Sequence, residues 1–94
     1  MRITEFEKNV FLRSIQSVDP DAKVYLFGSR VDDFKKGGDI DLLVLSDKID
    51  LTLKLRIKKL IFERLEEQKI DLTITRDLND PFIKSVFESA VKLS

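Results

Sequence analysis

Apolar residues recur along this chain with two periods, and the switches between them mark the elements. Thr4-Glu5-Phe6-Glu7 fits a capping box, with Thr4 as N-cap and Glu7 three residues on. Ile3, Phe6, Val10, Phe11 and Ile15 then recur at helical spacing, which predicts a helix from about Glu5 to Ser17. Asp19-Pro20-Asp21 is a turn signal. Lys23 to Phe27 reads as a strand, and Gly28 ends it. Asp39 to Leu45 reads as a second strand whose nearly continuous apolar run places it inside a sheet. A long helix is expected from Asp50 to about Gln68. Lys69 to Thr75 alternates Ile70, Leu72 and Ile74 against Asp71, Thr73 and Thr75, the period of a third strand. Asp80-Pro81 starts a last helix, with Phe82, Ile83, Val86, Phe87, Ala90 and Val91 as its apolar face.

The predicted order is α-β-β-α-β-α, an α+β domain with a small mixed sheet flanked by helices, in one domain over residues 1–94. The helix between the second and third strands is long enough for a crossover, so that pair is expected to be parallel. The connection between the first two strands is too long for a tight hairpin but suits antiparallel pairing. On a wheel of about 100° per residue, Leu51, Leu55 and Phe62 lie within about 40° of each other, well round from Leu53, Ile57 and Leu60. Two readings of that extra flank stand side by side: it is covered by the first or last helix, or it is a contact for a second subunit or a helical partner.

Composition narrows the chemistry. The chain has 94 residues, 43% apolar and 36% charged, as expected for a soluble globular protein. No apolar run approaches the ~18 residues of a membrane span. Met1 to Val10 carries Arg2, Glu5, Glu7 and Lys8, so no signal peptide is expected. The absence of cysteine fits a cytoplasmic protein. A formal net charge of +0 argues against strong non-specific nucleic-acid binding. Without His or Cys there is no Ser-His-Asp triad, no thiol nucleophile and no His- or Cys-based zinc site. Carboxylates, Lys, Arg, hydroxyls and oxygen-seeking metals such as Mg²⁺ remain.

The stretch "LFGSRVDDFKKGGDIDLLVL", residues 26–45, concentrates those groups. Asp39 and Asp41 point to the same side of their strand, and Ile40 and Leu42 to the other. A solvated strand end would tolerate two such charges. A divalent cation would relieve their repulsion, and Asp71 repeats the pattern on the next strand. Three acids around a metal pair suit in-line phosphoryl or nucleotidyl transfer. Gly28 permits close approach of a phosphate, and Ser29 offers a hydroxyl and nearby N–H groups. The loop from Asp32 to Gly38 lacks EF-hand ligand spacing, and no Gly-Lys-Ser/Thr makes it a Walker A motif.

Gly28-Ser29, nine residues, then Asp39-x-Asp41 resembles the signature of the DNA polymerase β-like nucleotidyltransferase superfamily. Within it, the short chain looks like the minimal nucleotidyltransferases, or MNT proteins, through "YLFGSR", "GGDIDLLV" and "KIDLTIT" on its three strands. The resemblance implies that Asp39 and Asp41 bind two Mg²⁺ ions and that Asp71 helps activate the attacking hydroxyl. It implies that Gly28 and Ser29 hold the triphosphate and that Arg30 contacts phosphate. It implies ATP as substrate, and a small helical HEPN partner, often an RNase toxin, onto whose tyrosine the antitoxin transfers AMP. The sequence departs from the pattern in two places. The loop before Asp39 is one residue shorter than in many minimal members, and Gly38 stands where a Ser commonly precedes the Asp-x-Asp. Three functions are thus weighed: a Mg²⁺-dependent nucleotidyltransferase, an inactive or weak nucleotide-binding antitoxin acting by association, and a structural domain with solvated acids. Retention of all three acids favours the first.

Overall fold

The computed structural model describes residues 3–28, 39–65 and 69–94. Helix α1 (Glu5–Gln16) begins at the expected capping box. The Glu7 N–H donates to Thr4 Oγ1 at 3.0 Å, and the Thr4 N–H donates back to Glu7 Oε1 at 2.8 Å. Strands β1 (Lys23–Phe27) and β2 (Ile40–Leu45) pair antiparallel. Helix α2 (Leu51–Arg64) is capped by Asp50, whose Oδ1 accepts from the Leu53 N–H at 2.8 Å. It then crosses to β3 (Ile70–Thr75), which runs parallel to β2. Helix α3 (Pro81–Ser89) follows its Asp80 cap.

Two boundaries differ from the periodicity. Helix α2 stops at Arg64, because Leu65 is already extended at φ −109 and ψ 143 and turns its side chain into the core. Residues 66–68, the expected end of that helix, lie outside the described residues. Ala90 and Val91 do not extend α3 either. Ala90 is extended, and Val91–Lys92 form a short strand β4 antiparallel to β1. The open edge of β1 provides the reason, since its unpaired backbone groups must find partners. The Leu93 N–H donates to the Val24 carbonyl at 2.8 Å, and Ser94 Oγ accepts from the Val24 N–H at 3.0 Å.

The sheet order is β3-β2-β1-β4, so β2 is interior and covered on both faces. One face carries Val24, Leu26, Ile40, Leu42, Val44, Ile70 and Leu72, packed with Val10, Phe11 and Ile15 of α1 and Ile57 and Ile61 of α2. The other carries Tyr25 and Leu43 against Ile83, with Phe87 of α3 edge-on to Tyr25 at 5.1 Å. This double burial accounts for the apolar run in β2. It also leaves α2 with one buried side. Ile57, Ile61 and Leu65 are buried, whereas Leu51, Leu55 and Phe62 are 70%, 59% and 42% exposed. Neither α1 nor α3 covers that flank.

Candidate active site

The acids stand where the strands enter the sheet. Ile40 pairs with Ile70 and Asp41 with Asp71, in register across the parallel ladder. Paired residues on neighbouring strands project to the same face, about 4.8 Å apart along the hydrogen-bonding direction. Ile40, Leu42, Ile70 and Leu72 are buried on the α1–α2 side, so Asp41 and Asp71 project on the opposite, α3 side. Asp39, two residues before Asp41, lies just ahead of β2. The structure thus brings the three acids to one end of the sheet, where β2 and β3 begin, with Asp71 exposed and Asp39 and Asp41 half-buried.

Gly28 closes the site from β1. Phe27 pairs with Asp41, so Gly28 is the first residue beyond the ladder. Its φ of +77 is a left-handed conformation that a side chain would strain. A β-carbon there would overlap the Asp41 carboxylate itself. Glycine is therefore required by the turn and by the approach of Asp41, in addition to any phosphate it admits. Ser29 and Arg30, the other two expected nucleotide contacts, lie outside the described residues.

The electrostatics single out Asp41. Its partial burial holds its carboxyl above the usual carboxylate range, and the charges of Asp71 and then Asp39 push it the same way. Asp39 has a cation to hand: Lys69 Nζ lies 3.5 Å from its Oδ2. Composition and periodicity do not draw attention to Lys69. Its spacing does: two residues before Asp71, it shares that residue's strand parity and so faces the acids.

Hard oxygen donors that repel one another are the donor set a Mg²⁺ ion accepts, so the residues fit such an ion. Among the described residues, no three acidic side chains stand close enough together to hold a metal ion, so the fit rests on the chemistry of the donors and not on a formed cage. When bound, the metal would supply charge neutralisation at a transferring phosphoryl group, with Asp39, Asp41 and Asp71 as its holders.

The family model described as polymerase beta, nucleotidyltransferase matches residues 12–94. The matched region takes in every strand of the sheet and all three acids. This chain belongs to that nucleotidyltransferase family, and its mixed sheet with flanking helices is the family's fold. No curated protein matches the chain. Among the described residues no helix is long and apolar enough to cross a membrane.

Proposed function

We propose that this nucleotidyltransferase uses Mg²⁺ to transfer AMP from ATP to a hydroxyl of a HEPN-type helical partner, and thereby acts as the antitoxin of a pair. The observation that carries the chemistry is the in-register pairing of Asp41 with Asp71, with Gly28 against Asp41. In this reading the partner's hydroxyl oxygen attacks the α-phosphorus of ATP. The bond from that phosphorus to the pyrophosphate oxygen breaks, and Asp71 takes the hydroxyl proton. Asp39 and Asp41 hold the ions, and Gly28, Ser29 and Arg30 receive the triphosphate.

The partner reading draws on α2. Its exposed flank of Leu51, Leu55 and Phe62 is bordered by Lys58 about 20° to one side and Lys59 about 40° to the other. An amphipathic helix with acidic residues beside its apolar seam complements that surface. The same flank favours a second reading, in which association with the partner is sufficient for the antitoxin role.

Incubation with α-labelled ATP, Mg²⁺ and the protein encoded by the adjoining gene separates these readings. Label should pass to the partner with the parent chain and not with Asp41→Asn. A stable complex without label transfer would leave association as the function. Neither label nor complex would remove both.

A further inference from the structure

The Lys69–Asp39 pair is placed by the sheet. The Ile40 N–H donates to the Lys69 carbonyl at 3.0 Å, which ties the start of β2 to the residue before β3. That bond and the Ile40–Ile70 register bring Asp39 and Lys69 side by side. Strand parity then turns Lys69 to the face of Asp71. The pair does little for stability, since its side chains are 76% and 40% exposed and exposed ion pairs contribute little. Its effect falls instead on the site. Lys69 places a positive charge against Asp39, one of the acids assigned to the metal.

On the reading of the acids as a metal site, we infer that Lys69 is a resident counter-cation that competes with the metal. Its ammonium balances Asp39 while the acids are metal-free, and an incoming divalent ion must displace it. Lys69 is thus a positioning residue that sets metal affinity through Asp39. The expected size follows from Coulomb's law. A single and a double positive charge roughly 6 Å apart in water-like screening oppose each other enough to weaken binding about tenfold.

The test is Mn²⁺ binding to the full chain, measured by calorimetry and by the electron paramagnetic resonance signal of free Mn²⁺. Lys69→Met should bind about tenfold tighter than the parent, and Lys69→Arg, which keeps the charge, should bind like it. The advantage of Lys69→Met should shrink as salt rises from low to about 0.5 M, because screening removes the repulsion. Equal or weaker binding by Lys69→Met, while Asp41→Asn abolishes it, overturns the counter-cation and leaves the metal site standing. Binding that is unaffected by Asp41→Asn, or absent from both the parent and Lys69→Met at millimolar Mn²⁺, overturns the site itself.

Discussion

Asp41 shows how the environment of a single carboxylate can work against the fold. Its carboxyl titrates above the ordinary value of 3.8 because it is partly buried and faces Asp71 and Asp39. The folded-state pKa is thus above the unfolded one. The neutral carboxyl favours the fold at low pH, and that contribution is lost as pH rises through the folded pKa. Asp41→Asn mimics the neutral form without leaving a charge to repel. In metal-free buffer at pH 7 the variant should melt a few degrees above the parent, and the gap should close below about pH 3.8. Adding Mg²⁺ should raise the parent's Tm and not the variant's, because an ion that binds only the folded acids stabilises only the protein that has them all. A variant less stable than the parent in metal-free buffer at pH 7 would refute the repulsion. At this scale the sequence was informative where chemistry is local. Strand parity puts Asp39 and Asp41 on one side without any knowledge of the fold. It does not reveal that Lys69 lies against Asp39, because that depends on register between strands joined through α2.

The elements follow their sequence signals wherever a signal and its partner are close together. Thr4, Asp50 and Asp80 each cap the helix that follows, as N-cap chemistry requires. Val91 fitted the apolar period of α3, yet the open edge of β1 claims it, and no local pattern reports a vacant edge. Asp19 is a second instance. It reads as a turn residue, and its side chain does accept from the Asp21 N–H at 3.0 Å. It is nevertheless only 2% exposed, and its main partner is the Ser46 hydroxyl, 27 residues away. Ser46 in turn accepts from the N–H groups of Lys48 and Ile49, while its own N–H donates to the Thr75 carbonyl at 2.9 Å. One hydroxyl therefore ties the turn before β1 to the turn before α2. The Ser46 hydrogen bond holds the Asp19 carboxyl below its usual range, against the opposing effect of burial. Ser46→Ala removes a donor from a buried carboxylate, at a cost of about 2 kcal/mol. In a domain of this size that is on the order of 10 °C in Tm. Because Asp19's folded pKa is depressed, its contribution is present above the unfolded value and is lost as pH falls through the folded one. The destabilisation by Ser46→Ala should therefore be large at pH 7 and fade in acid. A penalty that stays constant down to the acid transition would show that the hydroxyl acts through packing alone.

At the scale of the whole molecule, the sheet separates the acids from the exposed apolar flank of α2. Its α3 side carries the acids at one end and the Tyr25–Phe87 contact further along. Its other side is sealed by α1 and α2, and there the apolar arc of α2 is wider than a single sheet face can bury. The sequence left open whether a helix covers the excess, because the wheel gives the width of an arc and not what lies over it. The structure places Leu51, Leu55 and Phe62 outside both cores. That outcome gives the flank a definite test. Large-to-small changes inside a core cost several kcal/mol, whereas changes at exposed positions usually stay within about 0.5 kcal/mol. The double variant Leu55→Ser/Phe62→Ser should therefore fold and melt within a few degrees of the parent. If the flank receives the acidic helix of a partner, the variant should also lose the complex, because truncating apolar anchors at an interface removes most of its binding energy. The Mn²⁺ affinity of the isolated chain should stay unchanged, since the acids lie on the opposite face. Melting and co-elution with the partner, read on the same preparation, decide the matter. Loss of folding would return these side chains to the core, and an intact complex would move the partner's contact to another face of the molecule.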